Sequence, residues 1–380
     1  MVAFLLLYNW KSSNYFFCKL EKSFFMSLKS LLHWSYIFPL LTLAYYFFGI
    51  VDDNAWLATL GSFLLISSVL AAVHHAEVVA HKVGEPFGTI ILAIAITVLE
   101  VGLIVSLMVA GGKETSTLAR DTVFAAVMLI LNGILGACLL VGGLKFKEQF
   151  FARTSGNMAL ISLVAIVVMT LILPNYTTTE LSATFSKAQL IFFSVASLVI
   201  YSTFLMVQTV RHRNYFLPED DEPHADPPTN FVSTMSLIFL LICLGVVVVM
   251  AKGLSPTIES VVHNLGAPQA LVGVIIAAVV LLPEGMAAIK AARRNQFQTS
   301  LNLALGSAIA SIGLTIPCVA VVSILYDMPL VLGLDIKSMV LLALSLYTVM
   351  LSLSRGKTNI LYGVVLLVNL LAYIFTVIVP

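Results

Sequence analysis

The chain has 380 residues, of which 60% are hydrophobic and only 10% are charged, and its mean hydropathy is +1.03. Soluble domains carry about 25% charged residues, so this composition excludes an ordinary soluble fold and indicates a chain that lies in a bilayer. The net charge of +1 gives no indication of nucleic-acid binding, and the four scattered cysteines form neither a CxxC pair nor a disulfide framework.

A membrane-spanning helix needs about 20 apolar residues, and the chain divides into about eleven apolar runs of this kind. We therefore predict an all-α integral membrane protein with eleven transmembrane helices. Residues 1–30 are expected to form a cytoplasmic segment, and Met26 is an alternative start that leaves the first 25 residues without a role. The predicted spans are 31–50, 55–80, 87–112, 120–143, 157–175, 186–209, 231–252, 267–292, 299–325, 337–354 and 358–379.

Basic residues predict the orientation of these spans. If the N-terminus is cytoplasmic and each run crosses once, fifteen Lys and Arg residues lie inside and five lie outside. Leaving out the first 25 residues still gives twelve inside and five outside. This asymmetry satisfies the positive-inside rule, so we expect a cytoplasmic N-terminus and, after eleven crossings, an external C-terminus.

The longest polar connection, residues 211–230, is rich in proline and acidic side chains and is expected to be cytoplasmic. Such a segment is usually a solvated, disordered loop, and the alternative is a weak collector of cations at the inner mouth. It separates two sets of five spans, at 51–210 and 231–380, which follow the leading span 31–50. Each set contains a Gly-x-Pro start, an apolar run and then a lone Glu in its second span.

Because five is an odd number, the two sets enter the membrane with opposite orientations. Inverted repeats with a binding site at their interface are typical of secondary transporters. The sequence thus predicts two inverted five-helix repeats with one leading helix.

The two lone glutamates lie near the middle of their spans. Glu100 is about 20 Å beyond the start of its span and Glu284 is about 14 Å from Arg293, in a hydrocarbon core about 30 Å thick. A carboxylate there costs about 2.5–3.5 kcal/mol to insert, which a bound cation or a proton would offset. We expect Pro283 and Gly285 to break the helix at Glu284 and free carbonyl oxygens as ligands. The alternative is that both glutamates are protonated packing residues.

The spans that follow the glutamates carry further candidate metal ligands. Asn132 is alone in the apolar run "AAVMLILNGILGACLLVGG", and Ser307, Ser311 and Thr315 recur every fourth residue in "NLALGSAIASIGLTIP", on one helical face. Amide and hydroxyl oxygens suit Na⁺ or Ca²⁺. Small residues at this spacing also pack helices closely without any ligand, which is the alternative reading.

A polar stripe lies at the inner end of the second span, in "HHAEVVAHKVGEP". His74, Glu77, His81 and Glu85 have spacings that put them on one face of a helix. Histidines beside carboxylates can relay protons or bind a transition metal. The candidate role is a proton relay, and the alternative is a set of interfacial side chains at the cytoplasmic mouth.

In these motifs the chain resembles the calcium/cation antiporter superfamily, in particular its bacterial ChaA-type Ca²⁺(Na⁺,K⁺)/H⁺ antiporter branch. The resemblance covers nearly the whole chain from about residue 30 onward. It implies ten spans in inverted repeats plus one leading helix, with Glu100 and Glu284 binding cation and protons alternately. The motifs that carry it are "HHAEVVAHKVGEPFG", "ILAIAITVLEV", "LLPEGMAAIKAARRNQFQ", "NLALGSAIASIGLTIP" and the acidic loop.

The chain also departs from the wider superfamily, which often has Gly-Asn-Ala before its acidic residue. Here "TVLE" and "LLPE" stand at those places, and Leu131 stands where a Ser commonly precedes Asn132. These differences remove neutral oxygen ligands and leave the preferred ion open among Ca²⁺, Na⁺ and K⁺.

The sequence therefore favours a proton-coupled cation antiporter of the bacterial inner membrane, with inorganic cations and lipid as its partners and no cofactor. Protons and cations would compete for the same carboxylates, and that competition would couple the two fluxes. An Na⁺(K⁺)/H⁺ antiporter with little Ca²⁺ transport is the main alternative. A channel needs a continuous polar path, whereas the chain has isolated polar points. An intramembrane protease needs paired catalytic Asp residues or a Ser/His pair within its spans. No span has an obvious Asp dyad, so we expect no enzyme.

Overall fold

The computed structural model describes residues 33–48, 55–84, 87–180, 183–216, 227–264, 268 and 270–379. These residues form eleven helices, which confirms the predicted all-α fold class, and the one β-type contact among them is an isolated bridge between Phe150 and Lys357. The helices are α1 (Trp34–Phe47), α2 (Ala55–Val83), α3 (Phe87–Gly111), α4 (Leu118–Phe146), α5 (Arg153–Tyr176), α6 (Lys187–Arg211), α7 (Asn230–Asn264), α8 (Ala270–Arg293), α9 (Phe297–Leu325), α10 (Ile336–Leu353) and α11 (Ile360–Ile378).

Ten of these helices, α2 to α11, are long and apolar enough to cross a membrane. The described part of α1 is shorter, since its 14 residues are fewer than the about 20 that a span needs. It lies antiparallel along α2, where the Tyr45 hydroxyl donates to the Leu57 carbonyl (2.8 Å) and His75 Nε2 lies 3.1 Å from the Ser35 carbonyl. The described residues of α1 are therefore too few for the predicted eleventh crossing. The prediction that the two termini lie on opposite sides of the membrane depended on that crossing.

Helix α8 runs without interruption through Pro283 and Gly285, so the predicted helix break at Glu284 is wrong. Proline lacks an N–H and removes one main-chain hydrogen bond. Packing against α4 holds the helix on both sides of this defect, because Gly273 lies against the backbone of Asp121 and Gly285 lies against Ile134. The observed hydrogen-bond partner of the Glu284 carboxyl group is a side chain, the hydroxyl of Ser307.

Three of the helices contain wide, π-helical turns, at residues Leu129–Ile134 in α4, Val168–Ile172 in α5 and Val207–Arg211 in α6. Such turns often occur at functional sites. The first contains Asn132 and the third forms the end of α6.

Helix α9 occupies the centre of the bundle, where it packs against α3, α4, α5, α6 and α8. Its large apolar side chains Phe297, Leu301, Ile309 and Ile312 are fully buried. The outer faces of α6, α10 and α11 carry exposed apolar side chains instead, which suits contact with lipid. Because of its central position, α9 can present polar side chains to α3 and α8 together.

Candidate functional site

Glu100 is buried at the middle of α3, with 2% of its surface exposed. Two hydroxyl groups of α9 surround its carboxyl group. Ser311 Oγ lies 2.7 Å from each of its two oxygens, and Thr315 Oγ1 lies 3.1 Å from Oε2. A buried carboxyl group needs such partners, because burial without hydrogen bonds costs several kcal/mol.

Glu284 lies on α8 and is half-buried. The Ser307 hydroxyl donates a hydrogen bond of 2.5 Å to its Oε2. Ser307 and Ser311 are four residues apart and thus lie one turn apart on one face of the helix. The structure therefore brings Glu100, Glu284, Ser307 and Ser311 together, and a single face of α9 serves both glutamates.

Both glutamates line one cavity of about 120 Å³ between α3, α4, α6, α8 and α9. Most of its wall is apolar, as is usual for a small-molecule site with a few convergent polar groups. Its polar side chains are Thr97, Glu100, Tyr201, Gln208, Glu284, Asn302, Ser307 and Ser311.

The cavity extends toward the end of the bundle that the basic residues predict to be cytoplasmic. Gln208 is near the end of α6 and Asn302 is near the start of α9, and both line the cavity. Asn302 Nδ2 donates to the Phe216 carbonyl (2.5 Å), and its Oδ1 accepts from Gln298 (2.8 Å). These contacts anchor the chain that leads into the acidic loop at the mouth of the cavity.

Gln208, Asn302 and Tyr201 are site residues that the sequence reasoning missed. For Gln208 and Asn302, the only sequence feature that could have indicated a site was a lone amide side chain near the end of a span. Such residues are common at membrane interfaces, so that signal does not distinguish a cavity wall from a helix end.

Asn132 does not line the cavity of the two glutamates. Its side chain is buried in the π-helical turn of α4, where Nδ2 donates to Ser345 Oγ (2.9 Å) and to the Met128 carbonyl (3.2 Å). Its Oδ1 has no hydrogen-bond partner among the described residues. A metal-binding role for Asn132 stays a prediction.

The polar stripe of α2 is also separate from the cavity. The His74 ring packs against Trp34 of α1 and against His33, which precedes that helix, with centroid distances of 5.8 and 5.4 Å. Glu77 and His81 are exposed. Glu85 lies outside the described residues, as do residues 217–226 of the acidic loop. Within the described ranges no group of three or more His, Cys, Asp or Glu side chains is placed to hold a metal ion.

The cavity therefore offers two carboxylates, four hydroxyls and two amides in a wall that is otherwise apolar. Oxygen atoms of this kind are the ligands that hard cations prefer. Each carboxyl group can also carry a proton in place of a cation. The arrangement can therefore bind and exchange ions.

Comparison with known proteins identifies the family of the chain. The family model described as sodium/calcium exchanger protein matches residues 54–210 and 235–379. The chain is 43% identical over 343 residues to the protein y4hA of Sinorhizobium fredii, covering 87% of this chain and 92% of that one. It is 34% identical over 356 residues to the sodium-potassium/proton antiporter ChaA of Escherichia coli, covering 90% and 95%.

A solved structure has the same fold. The crystal structure of the selenium-substituted Ca²⁺/H⁺ antiporter protein YfkE superposes with a TM-score of 0.65 at 19% identity, over 88% of this chain and all of that one. The extent of the family match, the two relatives and the ten membrane-length helices lead to one conclusion. This chain is a multi-pass membrane protein that belongs to the sodium/calcium exchanger protein family.

Proposed function

We propose that this chain exchanges metal cations for protons across the bacterial inner membrane, and that Glu100 and Glu284 bind both. The observation that carries the proposal is the shared intramembrane cavity, in which each glutamate is held by a hydroxyl of α9. Ionisable residues inside a membrane are costly and usually mark ion pathways. The names of two similar proteins support the same activity, since one is a sodium-potassium/proton antiporter and the other a Ca²⁺/H⁺ antiporter.

Competition for the same carboxyl groups couples the two fluxes in this proposal. A glutamate that has lost its proton attracts a cation. When the glutamate gains a proton, it releases the bound cation. Two ionised carboxylates carry two negative charges, which one Ca²⁺ neutralises and one Na⁺ does not. Charge balance therefore makes Ca²⁺ the first cargo to test.

Access to the site changes sides during transport in this proposal. With the orientation expected from the positive-inside rule, the described cavity faces the cytoplasm through Gln208 and Asn302. At the opposite end, Arg120 pairs with Asp121 (2.8 Å) and donates to the Gly333 carbonyl (3.1 Å). These contacts would close the outer side while the inner side is open.

Exchange of Na⁺ or K⁺ for H⁺ is the second candidate function. The relative from Escherichia coli, 34% identical over 90% of this chain, is named for sodium and potassium. The same carboxylates would serve, and only the preferred ion would differ.

The test is proton release from inverted membrane vesicles after addition of Ca²⁺, Na⁺ or K⁺ separately. Glu100→Gln and Glu284→Gln should each abolish exchange at normal protein levels, because glutamine keeps the size of the side chain but carries no charge and no acidic proton. Aspartate at either place should give intermediate activity, since the carboxylate is kept but retreats by one methylene.

Glu148→Gln is the matched control, because Glu148 is an exposed glutamate that pairs with Lys357 (2.9 Å) away from the cavity. It should exchange like the wild type. Normal exchange by either cavity variant would disprove the proposed site, and proton release with Na⁺ and K⁺ but not Ca²⁺ would select the second candidate.

A further inference from the structure

A second crevice opens on the membrane-facing side of the bundle, between α5 and α6. Its volume is about 450 Å³, and its wall is mainly apolar, formed by residues that include Met158, Ile161, Ile200 and Val207. Ile161 is 71% exposed. In a bilayer an apolar groove of this kind is in contact with acyl chains, because no water is present to fill it.

One end of the crevice is basic. Arg211 and His212 line it there, and Arg211 is the last residue of the membrane-length helix α6. Arg211 is exposed and makes no ion pair within the part of the chain that the structure describes. The His212 ring stacks on Tyr215, with a centroid distance of 5.2 Å and nearly parallel planes, which fixes its orientation.

We propose that this crevice binds an anionic glycerophospholipid of the surrounding bilayer. Its phosphate would lie against Arg211 and His212, and one acyl chain would follow the apolar wall toward Ile161. A guanidinium group binds phosphate through two parallel hydrogen bonds. Basic pockets between transmembrane helices are also the usual places where anionic lipid headgroups bind.

The bound lipid would act on the ion site through α6. Phe204 lines both the lipid crevice and the glutamate cavity, so its side chain lies between the two. Beyond it, Gln208 faces the cavity while Val207 and Arg211 face the crevice, within the π-helical turn Val207–Arg211. A lipid in the crevice would thus hold the α6 wall of the cavity mouth and stimulate exchange. This last step rests on the proposed transport function.

The experiment compares four proteins, which are the wild type, Arg211→Gln, Ser162→Phe and Arg294→Gln. Ser162 lines the crevice, and phenylalanine there would fill it without a change of charge. Arg294 is an exposed residue just beyond α8, outside the crevice, so its replacement removes the same charge at the same end of the bundle. Retention of phosphatidylglycerol by the purified proteins is measured by native mass spectrometry, and exchange is measured in phosphatidylethanolamine vesicles with and without phosphatidylglycerol.

We expect the wild type and Arg294→Gln to retain phosphatidylglycerol and to be stimulated by it. Arg211→Gln should retain it about fivefold less, since a basic residue near an anionic surface contributes about 1 kcal/mol, and Ser162→Phe should lose it as well. Equal retention by all four proteins, or an equal loss in Arg211→Gln and Arg294→Gln, would overturn the proposal. Lipid retention is measured without transport, so an absence of exchange in every vesicle would count against the transport function and not against the lipid site.

Discussion

Replacing Ser311 with alanine measures how much the α9 hydroxyls contribute to cation binding. Ser311 Oγ is 2.7 Å from both oxygens of Glu100, whereas Thr315 Oγ1 is 3.1 Å from one of them. A hydrogen bond to a charged group contributes about 1.5–3 kcal/mol, which corresponds to about tenfold to about 150-fold in affinity. Because Thr315 still donates to Glu100 in the variant, we expect the loss of cation affinity in Ser311→Ala to lie at the lower end of this range.

The predicted result is that Ser311→Ala needs about tenfold more cation for half-maximal proton release. Thr315→Ala should have a smaller effect, because its contact is longer and reaches one oxygen only. Ser323→Ala is the control on the same helix, since the Ser323 hydroxyl donates to the Met328 carbonyl (2.7 Å) far from the cavity. The assay is a titration of proton release in inverted vesicles at matched protein levels. An unchanged half-maximal concentration in Ser311→Ala would refute the role given to this contact.

Three further outcomes are expected. Deletion of residues 218–228 should weaken apparent cation affinity modestly and leave the maximal rate intact, because we expect the loop to act only as a collector of cations at the mouth. A complete loss of transport in inserted protein would contradict this. His81→Ala should shift the pH optimum of exchange, and an unchanged pH profile would leave the α2 stripe with an interfacial role. Gly363→Ala should lower thermal stability, since a Cβ there would meet the backbone nitrogen of Leu140 at 2.5 Å and overpacking costs about 1–3 kcal/mol. Gly245→Ala is the control and should unfold like the wild type, because a Cβ at Gly245 would meet nothing within 4 Å.

Hydropathy alone was sufficient to find the helices of this chain. A bilayer requires about 20 apolar residues for each crossing, and a segment that meets this requirement is visible without knowledge of its neighbours. For the same reason Glu100 and Glu284 could be singled out, since a carboxyl group is conspicuous within such a run. The four-residue spacing of Ser307 and Ser311 likewise follows from helix geometry alone.

Contacts between distant segments depended on tertiary packing. The sequence places Asn132 and Ser311 in comparable positions after their glutamates, yet Ser311 bonds to Glu100 while Asn132 turns to Ser345 of α10. This difference follows from which helix lies beside each side chain, and periodicity carries no such information. Helix packing also kept α8 intact at Pro283, where the local rule predicts a break.

The cavity itself is a property of the assembled bundle. Gln208 and Asn302 are 94 positions apart in the chain and come from α6 and α9, and they share a cavity wall because those two helices pack side by side. The sequence by itself predicted that two carboxyl groups lie within membrane-length apolar runs, because that depends only on the length and composition of each run. Only the tertiary structure decided that they share one cavity and that α9 supplies hydroxyl partners to both, because that depends on how five helices pack around a common centre.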